Sequence, residues 1–184
     1  MIAVSRRLFA GLALAAAALF AAPAWAQTGT PHLMLTLKAG VVDVELLPDL
    51  APKHVERIVT LTNEGFYDGL KFHRVIAGFM AQTGDPKGDG TGGSGLPDLK
   101  AEFTTTQSFQ RGVLGMARAQ SPDSANSQFF ITFGDASFLD GQYTIFGKVV
   151  SGMEAVDALK KGDENNNGAV SDPDTIISAK IEYK

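Results

Sequence analysis

"KFHRVIAGFMAQTGD", Lys71 to Asp85, places a guanidinium, Arg74, among Phe72, Val75, Ile76, Phe79 and Met80, with an uncharged amide, Gln82, just beyond. A cation taken out of water normally brings a carboxylate with it, because desolvating the charge alone is costly. The nearest downstream acid is Asp85, past the aromatic run. The stretch reads as a hairpin, "KFHRVI" and "FMAQT", turning at Ala77-Gly78, and it carries its cation without an evident partner.

The neighbouring segments extend the same pattern. In "LMLTLKAGVVDVELL" (33–47), Leu33, Leu35 and Leu37 alternate with more polar residues, giving two strands joined at Lys38-Ala39-Gly40. Residues 49–65 predict a helix capped by Asp49, with Val55, Ile58, Val59 and Thr62 on one stripe and Gly65 at its end. Further strands are predicted at 113–117, 128–133, 143–150 and 175–183. A short helix over 151–162 shows Ser151 and Glu154 in capping-box spacing, an apolar side of Met153, Val156 and Leu159, and Gly162 closing it. Many short strands and only two helices indicate a mainly β, antiparallel domain. A closed barrel is the economical arrangement because it removes exposed sheet edges.

The first 26 of the 184 residues have another character: Arg6-Arg7, an apolar run from Leu8 to Ala22, then Ala24-Trp25-Ala26. This is the plan of a cleavable export signal cut after Ala26, by the general or the twin-arginine route, which places residues 27–184 in the periplasm as one domain. The alternative, a membrane anchor, fits less well with so short and Ala-rich a run. Removing the signal takes two of 16 basic residues and none of 20 acidic ones, leaving a formal charge of −6. No basic stripe survives, which argues against nucleic acid or anionic membrane as the main partner. Cysteine is absent, so disulfides, thiol catalysis and thiolate metal sites are excluded.

Three motifs compete for a functional reading. Gly88-x-Gly90-x-x-Gly93 has the glycine spacing of a dinucleotide site, but Ser94-Gly95-Leu96-Pro97 follows where a helix must start. "DENNNGAVSDPD" (163–174) resembles a calcium loop, although Pro173 and the strand-like "TIISAKIEY" replace the exiting helix and Asp174 the usual last Glu. The histidines at 32, 54 and 73 show no metal-ligand spacing, and no serine is paired with a base. The remaining candidates are "LGMARAQSPDSANSQFFITF" (114–133) and "FLDGQYTIFGKV" (138–149). With the opening stretch they supply Phe79, Met80, Met116, Phe129, Phe130, Phe138 and Leu139 beside Gln82, Gln128 and Tyr143. Pattern alone leaves two readings open: ordinary core with a surface ion pair at Arg74, or a site.

At these residues the chain resembles the cyclophilin family of peptidyl-prolyl cis-trans isomerases. The likeness runs through most of residues 31–184. It rests on Phe72-His73-Arg74-Val75-Ile76-x-Gly78-Phe79-Met80-x-Gln82-x-Gly84-Asp85, on Ser127-Gln128-Phe129-Phe130-Ile131, and on Leu139-Asp140-Gly141 leading to Phe146-Gly147-Lys148-Val149. The resemblance implies an eight-stranded closed antiparallel β-barrel capped by two α-helices, with a groove on its outer face. It implies Arg74 as the catalytic residue and Phe79, Met80, Phe130 and Leu139 as walls of a proline pocket. Gln82, Gln128 and the backbone at Ala117, Arg118 and Ala119 match peptide-binding groups.

Phe138 stands where many members have Trp, and Tyr143 where many have His. The first exchange keeps an aromatic wall without an indole N–H, so cyclosporin binding is expected to be weak. Arg118 replaces a common Asn and adds a charge at the groove. The resemblance further implies proline-containing polypeptides as substrates, no cofactor, metal or covalent intermediate, and a monomer that assists folding of exported proteins. A proline-peptide binding module without turnover, built on the same groove, is the rival reading.

Overall fold

The computed structural model describes residues 29–184; the predicted export signal, residues 1–26, lies outside them. Eight strands run in chain order: β1 (Pro31–Leu37), β2 (Gly40–Leu46), β3 (Arg74–Ile76), β4 (Met80–Thr83), β5 (Val113–Met116), β6 (Phe129–Thr132), β7 (Ile145–Ser151) and β8 (Ser178–Tyr183). Two α-helices interrupt them, α1 (Pro52–Asn63) and α2 (Met153–Asp157). Among the described residues no helix is long and apolar enough to cross a membrane.

The strands form one antiparallel sheet in the order β3-β4-β6-β5-β7-β2-β1-β8. Its end strands, β3 and β8, are not paired with each other; the seam is crossed by the segments that precede them. Phe72 N–H donates to Asp174 O (2.9 Å), Ile176 N–H to Leu70 O (2.9 Å) and Gly69 N–H to Ile176 O (2.7 Å), around a bridge between Lys71 and Thr175. The barrel therefore curls shut through a short bridge instead of a full ladder. The remaining edge of β3 is covered by the turn at 162–170, with Val75 N–H on Gly168 O and Gly162 N–H on Val75 O, both 2.8 Å. Covering the β3 edge removes one strand edge that could otherwise pair with another chain.

Alternation along the strands separates two apolar clusters. Leu33, Leu35, Val42, Val44, Val75, Ala81, Leu114, Met116, Phe129 and Ile131 point inward, where Val55, Ile58 and Leu61 of α1 and Ala155 and Val156 of α2 meet them. Met80, Phe130 and Ile145 point the other way and join Phe109, Ala136 and Leu139 in a smaller cluster on the outer face. Period-two geometry requires this split, since neighbouring residues such as Phe129 and Phe130 cannot share a face.

Both predicted helix starts differ from the observed ones. Helix α1 begins at Pro52 after Ala51, which offers no side-chain cap, and Asp49 lies upstream of it. The acceptor comes instead from Glu102, whose carboxylate takes the backbone N–H of Lys53 (3.1 Å) and His54 (3.0 Å) and contacts His54 Nδ1 at 2.6 Å. A long-range cap of this kind leaves no local spacing to detect. Helix α2 starts after Gly152 in left-handed conformation (φ 81°), with no side-chain cap, so the Ser151/Glu154 box does not form. Backbone of Val41 and Val42 presses on Gly152, where any Cβ would collide, and only glycine fits.

Glu102→Ala is predicted to destabilise the fold by about 1–3 kcal/mol, read by urea denaturation, because it strands the first N–H groups of α1 and a buried imidazole. Acid should act in the same direction. Burial lowers the pKa of His54 against the pull of Glu102, and lowers that of His73 against the pull of Asp85. Both imidazoles then stay neutral in the fold while the unfolded chain takes up protons. Stability is complete above the unfolded histidine value, about 6.5, and is lost as pH falls through the lower folded values. A melting temperature unchanged from pH 7.5 to 5.5 would contradict this.

Candidate active site

Arg74 sits on β3 with its side chain on the outer face, directly opposite Gln82 of β4, which is in turn opposite Phe130 of β6. Among the described residues no carboxylate meets the guanidinium. Nε donates to the backbone oxygen of Asn167 (2.9 Å), Nη2 to Asn167 Oδ1 (2.9 Å), and Nη1 to Gln82 Oε1 (3.2 Å), with the Met80 sulfur 3.9 Å from Nη1. Burial lowers the Arg74 pKa and Tyr143 works against that shift. The cation is thus half-buried and held by neutral oxygens alone.

Gln82 is held in its turn. Its Nε2 donates to Gln128 Oε1 (2.9 Å), and Gln128 Nε2 donates to the backbone oxygens of Gly90 (3.0 Å) and Gly92 (2.9 Å). Arginine has donors only, so the amide beside it must present oxygen, which sends its NH2 onward and fixes the next amide likewise. The glycine loop at the end of this chain is not a dinucleotide site. It wraps Asp85, which is 1 % exposed and accepts the N–H groups of Lys87 (2.8 Å), Asp89 (3.0 Å) and Gly90 (2.6 Å). Burial alone would raise the Asp85 pKa, but the backbone N–H groups outweigh it and hold the carboxyl below its ordinary value. The anion that the glycine turn holds is supplied by the chain itself.

Beside Arg74 lies a pocket of about 180 Å³ lined by Phe79, Met80, Gln82, Ala117, Arg118, Phe130, Leu139 and Tyr143. Phe79 reaches it from the turn between β3 and β4, so strand alternation with Met80 does not apply to it. Phe130 forms the floor, stacked on Phe109 (centroids 5.6 Å apart) and edge-on to Tyr143 (5.7 Å). Gly115 beneath it leaves room for these rings, since a Cβ there would drive into both Phe130 and Phe109. Phe138 stands outside this lining at the rim, 64 % exposed, its ring 5.4 Å from that of Phe79. Met116 and Phe129, grouped with the site residues by the sequence pattern, belong to the inner core.

Arg118 is tied down, not extended into solvent. Its Nε and Nη2 donate to Gln142 O (3.1 and 3.0 Å), Nη1 donates to Ala119 O (2.9 Å), and the guanidinium lies 4.6 Å from the centre of the Tyr143 ring. It clamps the 117–120 segment to the 139–143 segment. Of the backbone groups expected to bind peptide, the N–H of Ala117 already donates to Gln128 O (2.9 Å) and that of Ala119 to Ser124 Oγ (2.9 Å). A second hollow, about 450 Å³, continues past Gln82 and Arg118 between Thr91, Asp98, Ser124 and Asn126. Sequence reasoning missed these last four residues and Asn167, whose position 93 residues from Arg74 leaves no spacing to read. The calcium-like turn that carries Asn167 spends its first carboxylate on itself, Asp163 accepting Asn165 N–H at 2.9 Å.

The chain is similar to known proteins along most of its described length. The family model described as "Cyclophilin type peptidyl-prolyl cis-trans isomerase/CLD" matches residues 32–181. A "Probable peptidyl-prolyl cis-trans isomerase" of Brucella suis is 60% identical over 161 residues, covering 82% of each chain. "Peptidyl-prolyl cis-trans isomerase A" of Dickeya dadantii is 40% identical over 190 residues, covering 98% of this chain and 100% of its own. Among solved structures, a cyclophilin-type isomerase of Cryptosporidium parvum, crystallised in the presence of the dipeptide Ala-Pro, superposes with a TM-score of 0.76 at 30% identity, over 83% of this chain and 99% of that one. The pocket is walled by Phe79, Met80, Phe130 and Leu139 and edged by two fixed guanidiniums, Arg74 and Arg118, and the chain belongs to the cyclophilin-type peptidyl-prolyl cis-trans isomerases.

Proposed function

We propose that Arg74 carries the isomerase reaction by stabilising the twisted X–Pro bond, with the pyrrolidine ring seated against Phe130. The barrier to rotation is about 20 kcal/mol because amide resonance resists twisting. As the C–N bond turns, the proline nitrogen leaves conjugation and gains lone-pair character. A guanidinium donating to that nitrogen favours the twisted state over both planar ones, and only such differential stabilisation lowers a barrier. The donor is already aimed and sits beside apolar surface, so little reorganisation accompanies the reaction. The observation that carries this reading is a guanidinium bordering the pocket with no carboxylate to neutralise it.

Proline-containing peptides are the substrates, in keeping with the Ala-Pro dipeptide present with the Cryptosporidium relative. Met80, Phe79 and Leu139 would hold the ring while the acyl side turns, and Gln82 and Gln128 would grip the adjoining peptide. The rim ring of Phe138 has no N–H to offer, which supports weak cyclosporin binding. The N-terminal residue pattern supports a periplasmic enzyme that assists folding of exported chains, a role checked by locating the protein in fractionated cells.

Arg74→Ala should lower kcat/KM on an Ala-x-Pro-Phe peptide by roughly 100-fold, the scale of one lost transition-state donor, with the melting temperature little changed. Unchanged turnover would reject the mechanism. Two guanidiniums and no carboxylate line the pocket. Peptides with Glu beside the proline should therefore turn over faster than those with Lys, and the gap should shrink as salt is raised.

A further inference from the structure

We infer that Asn167 is a positioning residue for catalysis, a neutral clamp that aims the Arg74 guanidinium without reducing its charge. The inference rests on the catalytic reading of Arg74. Asn167 takes one whole edge of the guanidinium: its backbone oxygen accepts from Nε and its side-chain oxygen from Nη2, both at 2.9 Å. That edge is the fork a carboxylate ordinarily fills, with two parallel hydrogen bonds. Here both oxygens come from one amide residue. To present them together Asn167 adopts left-handed backbone geometry, φ 52° and ψ 29°, which Asn tolerates better than most residues with a side chain.

The turn that carries Asn167 is held rigidly against β3. Asp163 O accepts the N–H groups of Asn166 (3.0 Å) and Gly168 (2.8 Å), while Gly168 O accepts Val75 N–H (2.8 Å). A Cβ at Gly168 would collide with Ile76, and one at Gly162 with the backbone of Gly168, so the approach is as close as backbone allows. The outcome is a fixed acceptor pair for a long, flexible cation. Without it the guanidinium would sample many rotamers, and each turnover would have to reassemble the donor geometry.

Neutrality is the second half of the device. A carboxylate at 167 would orient Arg74 equally well and also cancel the positive field that the twisted imide needs. An arginine offers five N–H groups. Asn167 engages two and Gln82 a third, and a fourth faces the Met80 sulfur at 3.9 Å. At least one is left for the substrate nitrogen.

Two substitutions test this. Asn167→Gly accepts the left-handed backbone and keeps the backbone acceptor but loses Oδ1. Asn167→Asp keeps both acceptors and adds a negative charge. With turnover and peptide affinity measured separately, both variants should lose roughly tenfold in kcat at neutral pH, while affinity for the proline peptide and melting temperature stay close to wild type. Turnover within twofold of wild type for Asn167→Gly overturns the clamp. Wild-type turnover for Asn167→Asp overturns the requirement for neutrality, since a merely structural turn residue would tolerate that exchange. Arg74→Ala, run alongside, separates the two levels: if it is fully active the catalytic reading of Arg74 fails, and if it is inactive while both 167 variants are active only the present inference fails.

Discussion

A guanidinium held in place by neutral oxygens is the constraint around which the outer face of this barrel is arranged. Arg74 is donor-only, so each group that touches it must be an acceptor, and each amide that accepts from it must turn its own donors elsewhere. The consequence runs from Gln82 through Gln128 to the carbonyls of Gly90 and Gly92. Behind those carbonyls the loop is folded on the carboxylate of Asp85. The first acid downstream of Arg74 in the chain is thus occupied with backbone N–H groups, and the guanidinium is held by neutral oxygens.

The sheet serves two purposes through its two faces. Inward residues build the large core on which stability rests, closed by α1 and α2. Outward residues of β4 and β6, Met80 and Phe130, join Phe109 and Leu139 in a second apolar cluster that borders solvent. Those residues are themselves buried, and the pocket beside Arg74 opens above them. Placing the pocket on strands and on short turns tied to them gives it more rigidity than a free loop would.

Much of this was legible in the residue pattern, for definable reasons. Alternation at Leu33, Leu35 and Leu37 and the glycine turn at Ala77-Gly78 specify strands and hairpin directly, because period and backbone preference are local properties. The pocket walls could be named only from the family motifs, and the structure brings Phe79, Met80, Phe130 and Leu139 together beside Arg74. What escaped has one common cause, contact over long chain separation. Glu102 caps a helix 48 residues away, and Asn167 grips an arginine 93 residues away. Nor could the pattern say that the donors of Arg118 would be consumed by carbonyls of its own groove.

The account makes the geometry of the fork as necessary as its charge. Lysine at position 74 keeps a cation but cannot span two oxygens of Asn167 and one of Gln82 while still offering an N–H to the imide. Turnover of Arg74→Lys on a proline peptide is therefore the most direct measurement. A rate about as low as that of Arg74→Ala is predicted, whereas a rate within threefold of wild type would show that positive charge alone suffices and would contradict the account.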